Sequence, residues 1–124
     1  MDVTAILQDS NVQKDAQHLC KLPPDEQFRL IQKWVTGDNA QLRILAAEVF
    51  AGAGKAGISL LLSEALAPGK RPQQRIRLFD AIERIGRPLD VAQWIDLSFV
   101  MRQYGPEVRN RIWRLLGQCK PAAA

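Results

Sequence analysis

The chain has 124 residues, 47% of them hydrophobic, and its 17 Lys/Arg outweigh 13 Asp/Glu for a net charge of +4. Such a chain can bury about two thirds of its unfolded surface as one globular domain, which excludes wholesale disorder. No apolar run approaches the roughly 20 residues of a bilayer span. The opening Met1-Asp2-Val3-Thr4 has no basic stretch feeding an apolar one, so no membrane association and a cytoplasmic address are expected.

Punctuation residues cut the chain into helix-sized pieces. Residues 1–22 are the least regular, although Val12, Ala16, Leu19 and Cys20 keep helical spacing, and they are read as a capping helix. Leu22-Pro23-Pro24-Asp25 opens a helix with Phe28, Ile31, Trp34 and Val35 on one face. Gly37 is expected to end it in a left-handed turn, and Asp38 to cap the next helix, 39–53. A further helix is predicted over about 55–67. Pro72 suits a first helical position, and the helix it opens stops at Gly86 and Pro88. Asp90-Val91-Ala92-Gln93 reads as a capping box for a helix running to Tyr104. Gly105-Pro106 starts the last helix, which ends near Cys119. No segment alternates with period 2, so the fold is predicted to be all-α.

One segment occurs three times. Leu42-Arg43-Ile44-Leu45-Ala46-Ala47-Glu48-Val49-Phe50 is echoed from Gln74 and again from Val108, with Arg43, Arg75 and Arg109 in second place. The copies start 32 and 34 residues apart, a period that marks stacked units sharing one core. In this register Phe28, Leu60 and Trp94 form one column, and Trp34, Leu66 and Val100 another. On the second helices Phe50, Ile82 and Leu116 align, as do Ala53, Ile85 and Cys119.

The pattern apolar-Arg-x-x-small, ending near Gly54 and Gly86, resembles HEAT repeats. Leu42-Arg43 with Ala46-Ala47 and Gly54 is the nearest copy, and Pro106-Glu107-Val108-Arg109 with Leu116-Gly117 the next. The resemblance covers about 24–120. It implies a short right-handed α-α superhelix of three helix pairs (24–54, 55–86 and 89–119) with the N-terminal cap, in one domain of residues 1–120 and a tail of 121–124. It also implies a protein-binding scaffold, and a structural ladder built from Arg43, Arg75 and Arg109. The family supplies an Asp in the inter-helix turn to pair with that arginine. Here only Asp38 fills the place, with Lys70 and Tyr104 at the matching positions, so Arg75 and Arg109 need other partners.

Motifs of chemistry are weak. Gly52-Ala53-Gly54-Lys55-Ala56-Gly57 has the letters of a dinucleotide fingerprint but follows a helix where that fingerprint needs a strand, so it reads as a tight turn. No cofactor is expected. His18 and Cys20 lie two apart, but with one His and one distant second Cys, Cys119, no zinc site is expected. Both cysteines read as reduced thiols, and no catalytic constellation stands out. All three tryptophans, Trp34, Trp94 and Trp113, read as packing residues.

The charge is uneven: residues 1–67 hold 6 Lys/Arg against 8 Asp/Glu, and residues 68–124 hold 11 against 5. On the second helices, Arg77 and Arg84, then Arg111 and Arg114, share one helical face with Asp80. Guanidinium forks suit carboxylates and phosphates alike. The expectation is a non-catalytic scaffold that holds an acidic or amphipathic protein segment on that face. Nucleic-acid backbone binding is the alternative, with a precedent in HEAT-like alkylpurine DNA glycosylases, and self-association is a third possibility.

Overall fold

A computed structural model of the protein describes residues 23–121. The cap expected over 1–22, with His18 and Cys20, lies outside the described residues, as do the side chain of Phe28 and most of the tail. Six α-helices follow in order: α1 (Pro24–Thr36), α2 (Ala40–Gly52), α3 (Lys55–Leu66), α4 (Pro72–Ile85), α5 (Val91–Val100) and α6 (Pro106–Gln118). A 3-10 turn, Met101–Gln103, extends α5. Among the described residues there is no strand, and the chain is all-α.

Local chemistry sets most boundaries. Proline begins α1, α4 and α6, where its missing N–H costs nothing. Gly86 ends α4 in the left-handed region at φ 73°, donating its N–H to the Ile82 carbonyl. At the start of α5 the Asp90 N–H donates to Gln93 Oε1 at 3.1 Å, and at the start of α4 Arg71 and Gln74 make the same contact at 2.9 Å. Three expectations are corrected. Gly37 is extended, at φ −75° and ψ 171°, and the residue that caps α2 is Asn39, whose Oδ1 accepts from the N–H groups of Gln41 and Leu42. One extra residue of extended chain after α1 shifts the cap by one. The helix from Val91 also stops at Val100, tightening into the 3-10 turn before Tyr104.

The helices pack as consecutive pairs, α1 with α2, α3 with α4 and α5 with α6, and the second helices touch in a row, α2 on α4 and α4 on α6. Helix α4 sits centrally because its buried residues Ile76, Leu78, Phe79, Ala81 and Ile82 wrap more than half its circumference. Helix α6 by contrast buries one stripe, Val108, Ile112, Leu115 and Leu116. The column Phe50, Ile82 and Leu116 is buried throughout. Other columns break: Leu60 and Ala53 are exposed, and Trp113, read as packing, is 70% exposed. Trp113 faces outward, and among the described residues no element covers it.

The glycines of 52–57 make the α2–α3 turn. Gly54 takes φ +67°, and a Cβ on Gly57 would collide with the Phe50 carbonyl oxygen, so the absence of a side chain brings α3 onto α2. Past α6, the Leu89 N–H donates to the Cys119 carbonyl at 3.1 Å, closing the last pair. Cys119 is a free, buried thiol. Burial, and to a lesser extent the neighbouring Glu83 carboxylate, pushes its pKa up.

Replacing Gly57 by Ala should cost about 1–3 kcal/mol through overpacking, whereas Gly52→Ala, with open space around it, should be neutral or stabilising in the same thermal unfolding assay. The thiol predicts a pH effect. Below its unfolded pKa of about 8.5 the protonated group favours neither state; above it the unfolded chain gains by ionising, so stability falls as pH rises until the raised native pKa is passed. Urea unfolding at pH 7.5 and 10 should therefore show a larger loss for the wild type than for Cys119→Ala.

Candidate functional site

The second helices bring most of the expected arginines to one surface. Arg43 from α2 and Arg77 and Arg84 from α4 border a cavity of about 280 Å³, with Asp80 among them and Val35, Ile44, Ala47 and Ala81 as an apolar floor. The spacing Arg77, Asp80, Arg84 keeps all three on one side of α4, as the sequence indicates.

Their partners differ. Arg77, only 20% exposed, donates from Nη1 to the carbonyls of Thr36 and Gly37 at 2.9 and 2.8 Å, and pairs with Asp38 at 3.0 Å. Arg43 donates to the same Gly37 carbonyl at 2.7 Å. Two guanidinium groups thus hold the α1–α2 turn in the extended shape that moves the cap to Asn39. Arg111 of α6 pairs with Asp80 at 2.8 Å, and Arg114 bonds Glu83 at 2.9 Å and Asp80 at 3.4 Å. These pairs are about half exposed, a setting in which an ion pair adds roughly 0–1 kcal/mol and exchanges partners readily. Arg84 is exposed and, among the described residues, has no partner.

The ladder arginines do not behave alike. Arg75 donates to the Ala65 carbonyl at 2.6 Å and lies over the Tyr104 ring, 4.9 Å from its centre. Tyr104, standing where an Asp was expected, supplies the missing partner through its ring. Arg109 is exposed, and among the described residues nothing bonds it. Asp38 serves Arg77 of the following pair and Lys70 pairs with Glu64 at 3.0 Å, so turn charges link across layers as well as within them.

No protein-family model, characterised protein or solved structure gives a significant match to this chain. The chemistry of the surface must therefore be read from its own residues. A cavity edged by three cations and floored by small apolar groups can take a carboxylate on a short apolar stem. The counter-charges Asp80 and Glu83 break the run of positive charge, so the face offers separate forks and no continuous basic strip.

Sequence reasoning missed a second surface. Val91, Ile95 and Phe99 of α5 are exposed, and so is Trp113 of α6, which lines a crease with Trp94 and Ser98. A signal was present: α5 carries apolar side chains on opposite sides, Leu97 on one and Val91, Ile95 and Phe99 on the other, more than one packed face requires.

Removing a guanidinium that holds two backbone carbonyls should be felt: Arg77→Ala is expected to lose about 2 kcal/mol. Arg84→Ala should stay within about 0.5 kcal/mol of wild type in the same urea titration.

Proposed function

We propose that the chain is a short α-solenoid of HEAT-like pairs acting in the cytoplasm as a non-catalytic scaffold that holds an acidic segment of another protein. The observation that carries this reading is the cavity bordered by Arg43, Arg77 and Arg84, in which Arg84 is exposed and unpaired among the described residues. An aspartate or glutamate of the partner would bond Arg84 while its stem rests on Ile44 and Ala81. Arg111 and Arg114 lie next along the face and can turn from Asp80 and Glu83 to a second partner carboxylate, since both states keep them paired. The row of second helices gives that segment a continuous bed. The unpaired, buried Cys119 suits a reducing compartment.

A peptide segment is favoured over a nucleic-acid backbone by Asp80 and Glu83, which would face phosphates at close range. Titration of a Glu/Leu-rich 15-residue peptide by calorimetry should give saturable binding, and Arg84→Glu should weaken it at least about tenfold. Unchanged affinity in the variant would overturn the assignment. So would tighter binding of duplex DNA than of the peptide at about 50 mM salt, with affinity falling steeply as salt rises.

A further inference from the structure

Arg43 and Arg77 come from different helix pairs, yet each donates from Nη1 to the same acceptor, the Gly37 carbonyl oxygen, at 2.7 and 2.8 Å. Two cations are thereby held close together beside the cavity that Arg84 also borders. Like charges at such range repel unless anions stand near. The anions of the chain do not match them. Asp38 pairs with Arg77, but its side chain is fully exposed, where an ion pair adds little. Asp80 lines the cavity but already bonds Arg111 and Arg114 at 2.8 and 3.4 Å, and Glu83 is engaged by Arg114. Three guanidinium groups are thus opposed by one carboxylate not engaged elsewhere, and two positive charges are left over. Among the described residues, Nε and Nη2 of Arg43 and of Arg77 bond nothing, and Arg84 is unpaired.

We propose that this cavity receives the phosphate of a phosphorylated serine or threonine in the partner segment. The inference rests on the scaffold reading above and narrows it, making phosphorylation of the segment the event that governs its capture. A carboxylate brings one charge and two oxygens in a plane, enough for a single fork. A phosphate monoester brings about 1.5–2 negative charges at pH 7 and three acceptor oxygens. Arg43, Arg77 and Arg84 can then each take an oxygen, and the surplus charge at the cavity is matched. The diester of a nucleic-acid backbone carries a single charge per phosphate and leaves the count unbalanced. Size acts the same way: about 280 Å³ floored by Ile44, Ala47 and Ala81 takes a phosphate on a short stem, with the threonine methyl resting on the floor. That apolar floor also keeps water from one side of the guanidinium groups, which strengthens their attraction for an anion.

Three versions of the Glu/Leu-rich peptide, with serine, glutamate or phosphoserine at one central position, are titrated into the full chain by calorimetry. The phosphoserine peptide should bind at least about tenfold more tightly than the glutamate peptide, and the serine peptide more weakly than either. Arg43→Gln removes one of the two crowded cations. It should erase most of the phosphoserine advantage while changing the affinity for the glutamate peptide by less than about threefold, a selective effect that loosening of the α1–α2 turn would not produce. The series on the wild-type chain needs no variant and decides the matter even if Arg43→Gln unfolds. Equal affinity for the glutamate and phosphoserine peptides would overturn the phosphate assignment and leave the scaffold reading standing; if none of the three binds, both fall. Equal losses for both peptides in a folded Arg43→Gln chain would overturn the assignment as well, and so would tighter binding of duplex DNA or of phosphatidic acid vesicles than of the phosphoserine peptide.

Discussion

Successive helix pairs are clasped by guanidinium groups that reach backwards along the chain. Arg77 of α4 grips the turn after α1, and Arg111 and Arg114 of α6 grip the carboxylates of α4. The apolar contacts beneath them are non-directional, and small residues such as Ala46, Ala47 and Ala81 would tolerate sliding of one layer on the next. The charge-assisted hydrogen bonds of Arg77, the deepest of these clasps, are short and directional and favour one register among several that bury similar area, whereas the half-exposed pairs of Arg111 and Arg114 add little. Helix α4 plays both parts, donor to the pair before it and acceptor for the pair after it.

The same clasps govern what the surface presents. Each arginine used internally is withdrawn, wholly or in part, from recognition. Arg77 is deep enough to belong to the architecture, Arg111 and Arg114 stand between architecture and surface, and Arg84 has, among the described residues, a free fork. A face that grows more basic toward the C-terminus when its letters are aligned is therefore graded in space, with one strong position and two exchangeable ones.

Much of the fold was legible because proline and glycine act locally. Pro72, Gly86 and Pro106 mark helix ends through backbone geometry that no distant contact has to approve. The buried column Phe50, Ile82 and Leu116 was legible too, since periodic spacing carries it. Failures arose where position in the stack decides. Trp113 aligns with Ala47 and Phe79, which are buried where their helices pack on neighbours, whereas among the described residues nothing packs over Trp113. Leu60 fails for a related reason, being placed at the mouth of the cleft between first helices. For the arginines, helical spacing puts Arg77 and Arg84 on one side of α4, and both border the same cavity. It could not indicate that Asp80 and Glu83 of one repeat sit within reach of Arg111 and Arg114 in the next, because that pairing depends on the offset between layers.

The two sides of the stack are joined unequally. Second helices pack directly on one another, whereas α1 and α3 stand across a cleft of about 400 Å³, and α3 meets α5 mainly through exposed polar contacts such as Gln93 with Ser59. One edge is thus a spine and the other an open fan. Bending that spreads or gathers the fan disturbs few buried atoms, so the curvature of the arginine face is a soft coordinate, changed at small elastic expense.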